Sequence, residues 1–247
     1  MRHLQRLPAA ARCLSRAEAL HDFGTHTHAV RVGSMVRRLA RELGMFPHAM
    51  EEIAQATMLH DVGKFALAIE ILQKTAPLSG EEMALIKTHT VRGYELLSGT
   101  DEPFLDLAAM LAIQHHEHFD GTGYPYGLKG EEISPPSRLV NICDIYDALR
   151  QDRPYRRGHA HAEAMDIITN GDGHTMPSHF DPIVLSGFQK IELYVEGIYR
   201  EHWHRQQSVF RQQTGGGTAK CEARRRPRVR SAWRNYGGNA RSRSQKS

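Results

Sequence analysis

Residues 115–125 read HHEHFDGTGYP. Two adjacent histidines and a glutamate run into an Asp-Gly pair and then Tyr-Pro. Those pairs are turn signals, so a helix carrying His115 and His116 should pass straight into an ordered loop. Neutral imidazole is the commonest protein ligand for borderline metals. Alone, the stretch reads equally well as a polar helix end with a solvated loop. What separates the two readings is whether other segments supply matching ligands.

Working outward, the flanking sequence is helical. Val32, Met35, Val36, Leu39 and Leu43 repeat at three- and four-residue spacing through 28–43, with Thr25 or Thr27 as cap and Gly44 as stop. A second helix is expected near 48–62, ending in His60 and Asp61. Ser79-Gly80-Glu81-Glu82 forms a capping box opening a helix through Leu85, Ile86, His89 and Leu96 to Gly99. Leu107, Leu111 and His115 follow at four-residue intervals. Pro135-Pro136 precede a helix in which Val140, Asp144 and Asp147 share a face. Asp181-Pro182 starts a last helix with Ile183, Val184, Phe188, Ile191 and Val195 inward. No run alternates with period two, so the fold class is an all-α bundle.

The polar residues on those inner faces are His28, His60, Asp61, His89, His115, His116 and Asp144. Burying unpaired carboxylates and a string of imidazoles in an apolar core would be costly. A lone inward histidine is ordinary core, but five segments aiming ligand-type groups inward are not. Five histidines and two carboxylates can hold two metals and leave positions for water.

Composition narrows the setting. The chain has 247 residues, enough for one large domain, and 16 histidines. Cys13, Cys143 and Cys221 lack CxxC spacing, which points to a reducing compartment rather than a disulfide framework. No apolar run approaches the ~20 residues of a membrane span, so the expected location is cytoplasmic. Residues 205–247 hold twelve Lys/Arg against one acid, Glu222. With the chain at +4, the preceding residues carry −7. That segment reads as a disordered basic C-terminal tail. Its charge suits nucleic acid or an anionic membrane, but a merely solvated tail is the preferred reading.

Taken together, HAVRV at 28–32, LHDVGK at 59–64, HHEHFDGTGYP, NICDIYDALRQDRPYR at 141–156 and HFDP at 179–182 resemble the HD-GYP branch of the HD phosphohydrolase superfamily. The resemblance runs from about residue 24 to 200. It implies an HD-domain helical bundle, cytoplasmic and bacterial, that hydrolyses cyclic di-GMP to pGpG or GMP and so lowers the second messenger. The chain then divides into a lead-in at 1–23, the HD-GYP domain at 24–204 and the tail at 205–247.

The same resemblance implies that His28, His60, Asp61, His89, His115, His116 and Asp144 hold two divalent metals, iron or manganese. Asp61 would bridge them, and Lys64 would reach the scissile phosphate. Asp147, Arg153 and Arg156 match positions associated with guanine and phosphate recognition. Some members have a glutamate four residues before the first histidine, which helps hold a third metal; Gly24 stands there, so two metals are expected. About two dozen residues precede the match, so no receiver, PAS or membrane sensor is expected. The alternatives are an HD phosphohydrolase for another cyclic dinucleotide, and a silent scaffold docking a signalling protein.

Overall fold

The computed structural model describes residues 9–21, 23–152 and 157–199. Residues 153–156, with Arg153 and Arg156, and the basic segment 205–247 lie outside them. The helices are α1 (Ala9–His21), α2 (Phe23–Glu42), α3 (Pro47–Ala56), α4 (Ile69–Leu72), α5 (Gly80–Lys87), α6 (His89–Leu97), α7 (Pro103–Gln114), α8 (Pro135–Arg150), α9 (His161–Asn170) and α10 (Pro182–Lys190). Residues 192–199 are helical as well. Among the described residues there is no strand, only an isolated bridge between Asp120 and Lys129. No described helix is long and apolar enough to cross a membrane.

Helix α2 packs against α1, α3, α8 and α10, and α6 packs along α7. The reason is the stripe read from the sequence: Val32, Met35, Val36 and Leu39 are all fully buried. Each such side chain contributes roughly 1.5–3 kcal/mol by leaving water. On α8, Leu139, Val140, Ile142, Cys143 and Tyr146 meet that stripe. Ser134 caps α8 by accepting from the Ser137 N–H, and Pro135 fills its first turn. The box at Ser79–Glu82 and the cap at Asp181 form as the residues predict.

Three expectations fail, each for a local reason. Helix α2 begins at Phe23, so Thr25 and Thr27 lie inside it rather than at its start. The helix expected through 62 stops at Ala56 and tightens into 3-10 turns at Thr57–Leu59 and Val62–Ala66. Adjacent residues of an α-helix point about 100° apart, given 3.6 residues per turn. Asp61, between the two 3-10 turns, leaves the helical course at φ −99° and ψ 4°, and there His60 and Asp61 come to face one point, with His60 Nε2 3.5 Å from Asp61 Oδ2. The helix expected from Ser79 to Gly99 breaks at Thr88. Thr88 Oγ1 donates to Leu85 O at 2.7 Å, His89 Nδ1 to Ile86 O at 2.7 Å and Thr90 Oγ1 to Lys87 O at 3.0 Å. These side chains take up the last carbonyls of α5 and end it.

The inward face of α6 is therefore His89, Gly93 and Leu97, while Leu85 and Leu96 are exposed. Ile183, also expected inward, is 72% exposed. Gly63 explains how α6 comes so near. A Cβ there would lie 1.9 Å from His89 O and 2.5 Å from Gly93 N, so the backbone of the His60–Lys64 segment touches the helix that carries His89.

Candidate metal centre

Four histidines of the centre are aimed by what Nδ1 does. His60 Nδ1 donates to Thr57 O at 2.7 Å, His89 Nδ1 to Ile86 O at 2.7 Å, and His115 Nδ1 to Ala112 O at 2.9 Å. A carbonyl oxygen only accepts, so Nδ1 carries the proton and Nε2 presents its lone pair. His28 Nδ1 is held instead by Asp147 Oδ2 at 2.7 Å. The four Nε2 atoms then meet in pairs: His28 and His60 at 3.3 Å, His89 and His115 at 3.2 Å. His115 follows the last residue of α7, and Asn141 Nδ2 grips its carbonyl at 2.9 Å. That departure from the helix lets His116 turn toward the same centre, where its ring stacks on Tyr124 at 4.7 Å and 24°.

Two carboxylates join the imidazoles. Asp61 Oδ2 lies 3.5 Å from His60 Nε2 and 3.8 Å from His28 Nε2. Its Oδ1 lies 3.3 Å from His89 Nε2 and 3.8 Å from His115 Nε2. Asp61 Oδ1 is buried and accepts no hydrogen bond. Asp144 Oδ1 is 3.1 Å from His28 Nε2, and its Oδ2 is 3.9 Å from His116 Nδ1. Lys64, 30% exposed, places Nζ 2.5 Å from Asp61 Oδ2.

The electrostatics divide the cluster. Burial pushes the Asp61 carboxyl up, but Lys64, His60, His89 and His115 outweigh it and hold the group well below the usual carboxylate range. Burial raises Asp144 too, and the adjacent His28 and His60 outweigh it and bring the group well below the usual carboxylate range. Burial pushes His28 down, and hydrogen bonds to Asp144 and Asp147 lift it to about 10. On the other side, burial lowers His89 and His115, and brings His116 to about 3. His89 and His115 are therefore neutral, with lone pairs opposed at 3.2 Å and no proton to share. Opposed lone pairs beside an unpaired buried carboxylate oxygen are what a cation between them would satisfy. The groups able to hold a metal are His28, His60 and Asp144; His60, Asp61 and His115; and His89, His115 and His116.

All seven residues expected as ligands thus converge, and Lys64 stands beside them. Asp147, expected at the substrate, has its side chain fully buried behind His28. Arg153 and Arg156 lie outside the described residues.

The sequence reading missed several residues. Glu117, buried within the signature, accepts the Tyr126 N–H at 2.8 Å and the Leu128 N–H at 3.0 Å, folding the loop onto its own start. Arg31 and Tyr199 both bond Asp147. Arg31 had a signal, since it sits on the inward face of α2 three residues after His28.

His118, Asp120 and His179 form a further group of donors. Their imidazoles stack nearly parallel, 3.9 Å apart at 16°, so the lone pairs do not converge. Asp120 accepts from the Thr122 N–H, the Thr122 hydroxyl and the Ser178 hydroxyl. The group fastens the loop to the turn at Pro177–His179.

Residues 12–184 match the family model described as HD domain. The chain is 37% identical over 187 residues to a protein of Thermotoga maritima named cyclic di-GMP phosphodiesterase, covering 76% of this chain and 50% of that protein. It is 32% identical over 190 residues to a Vibrio cholerae protein named 3′3′-cGAMP-specific phosphodiesterase 2, covering 77% of this chain and 34% of the other. The chain therefore spans half or less of these relatives. Among solved structures, Bd1817, described as a HDG"Y"P protein from Bdellovibrio bacteriovorus, aligns with a TM-score of 0.54 at 25% identity, covering 68% of this chain and 51% of that one.

Proposed function

The chain belongs to the HD domain family, and from that premise we propose that it is a metal-dependent phosphodiesterase whose substrate is cyclic di-GMP. The observation that carries the reading is the pair His89 and His115, their Nε2 atoms opposed at 3.2 Å beside the unpaired Asp61 Oδ1. His28, His60, Asp61 and Asp144 would hold one metal ion; Asp61, His89, His115 and His116 would hold a second. Bound there, iron or manganese supplies Lewis acidity and a water made nucleophilic near neutral pH.

The chain's own groups do the rest. Asp61 presents one oxygen to each half of the cluster, so it joins them. Lys64, partly exposed next to Asp61, offsets charge that grows on the phosphoryl oxygens during in-line displacement. Tyr124, stacked on His116, walls off one flank of the centre. Arg153 and Arg156, read from the sequence alone, supply forked donors for guanine or phosphate.

Similarity to relatives named for cyclic di-GMP and for 3′3′-cGAMP leaves one second reading, another cyclic dinucleotide as substrate. Manganese- or iron-loaded protein assayed against cyclic di-GMP, cyclic GMP-AMP and cyclic di-AMP tests both. Fastest turnover of cyclic di-GMP is expected. Preference for a mixed or adenine dinucleotide overturns the substrate, and no turnover of any of them overturns the activity.

A further inference from the structure

Resting on the metal reading, we infer that Asp147 is a positioning residue: it fixes which nitrogen of His28 faces the centre, and Arg31 and Tyr199 hold Asp147 in that role. Through Tyr199, helical residues 192–199 are tied to the metal site.

The geometry is two facing pairs, each three residues apart on its helix. His28 and Arg31 project from α2, Asp144 and Asp147 from α8. The His28 ring lies between the two carboxylates, with Nε2 3.1 Å from Asp144 Oδ1 and Nδ1 2.7 Å from Asp147 Oδ2. The other histidines of the centre with a bonded Nδ1 use a backbone carbonyl of the preceding turn. His28 alone among these four relies on a side chain from another helix, so its orientation depends on a residue that can be changed without touching its own helix. A ligating imidazole whose second nitrogen donates to a carboxylate is fixed in tautomer and made more basic toward the metal.

Asp147 is itself fully enclosed. Arg31 donates from Nε to Oδ1 and from Nη2 to Oδ2, both at 2.8 Å. The Gln151 amide bonds Oδ2, and the Tyr199 hydroxyl bonds Oδ1 and, at 3.1 Å, the Asp147 carbonyl. A carboxylate offers about four acceptor directions. These contacts use them, leaving none for a nucleotide. Tyr199 also lies under two guanidiniums, Arg31 at 5.3 Å and Arg150 at 4.6 Å from its ring centre, so it covers the ion pair.

A purely structural ion pair between α2 and α8 would look similar in coordinates, and metal affinity separates the two roles. Full-length Asp147→Asn and Tyr199→Phe are compared with wild type, with the Kd for Mn²⁺ and Zn²⁺ measured by chelator competition. The His28 Nδ1 proton is followed by NMR in metal-free and zinc-loaded protein. Asp147→Asn should weaken the site by about 10- to 100-fold and shift the His28 Nδ1 proton. Tyr199→Phe keeps the ring and loses only the hydroxyl, so a loss of a few fold is expected, with a smaller shift. Unchanged affinity and an unchanged resonance in both variants overturn the role, whatever happens to thermal stability. If Asp147→Asn does not fold, Tyr199→Phe decides alone. A wild-type protein that takes up no metal overturns the metal reading instead, and the metal-free NMR comparison still reports whether Asp147 holds His28.

Discussion

At position 61 a single carboxylate faces both halves of the cluster, Oδ2 toward His28 and His60 and Oδ1 toward His89 and His115. Asp61→Asn keeps the shape and removes the charge, and an amide nitrogen is no ligand for these metals. Metal content by elemental analysis should fall from about two per chain to below one, and turnover should vanish. Lys64 is different in kind. It cannot ligate, so Lys64→Ala should keep the metals while kcat falls by about 10²- to 10³-fold, the usual loss when one preorganised stabilising group is removed. Parallel loss of metal would show that Lys64 stabilises Asp61 rather than the reacting phosphate.

At the scale of elements, the centre depends on places where helices end. The break after Ala56, the break at Thr88 and the end of α7 at Gln114 each release a histidine from strict helical direction. The signature loop is then pinned by Glu117 and by Asp120. Burial nudges the Asp120 carboxyl up, but hydrogen bonds from Thr122 and Ser178 bring it from 3.8 to about 2. A folded value below the unfolded one means the stabilisation is fully present above pH 3.8 and is lost as pH falls through about 2. Thermal unfolding of wild type and Asp120→Asn against pH should therefore converge below about pH 2 and separate above about pH 4. Curves that stay parallel across that range would show that Asp120 does not anchor the loop.

At the scale of the whole molecule, the described core already contains every candidate ligand, and its last contributions come from residues 192–199. Val195 is fully buried and Tyr199 bonds Asp147. Truncation after residue 204 removes the basic segment and should leave turnover within a few fold. Truncation after residue 191 removes both Val195 and Tyr199 and should lower metal affinity and thermal stability together. Chelator competition and thermal unfolding on the two truncated proteins check this; equal behaviour would show that 192–199 contributes nothing to the site.

Much of this was legible without coordinates. Apolar spacing along α2, α7 and α8 gave the all-α class, because a helix must bury a stripe and the stripe's period is written in the residues. The seven inward His and Asp residues were also visible, since ligand-type groups on an apolar face stand out against their neighbours. Sequence could not say that Leu85, Leu96 and Ile183 face solvent, because periodicity marks an apolar face without telling which part of it finds a partner. Helical spacing could not tell Asp144 from Asp147; only the resemblance to a family gave them different roles. Three residues apart on one helix, both look equally available, and only the approach of α2 sets one against His28 Nε2 and the other against His28 Nδ1 and Arg31. That difference is made by contacts between residues more than a hundred positions apart, and it is the packing of α2 on α8 that decides it.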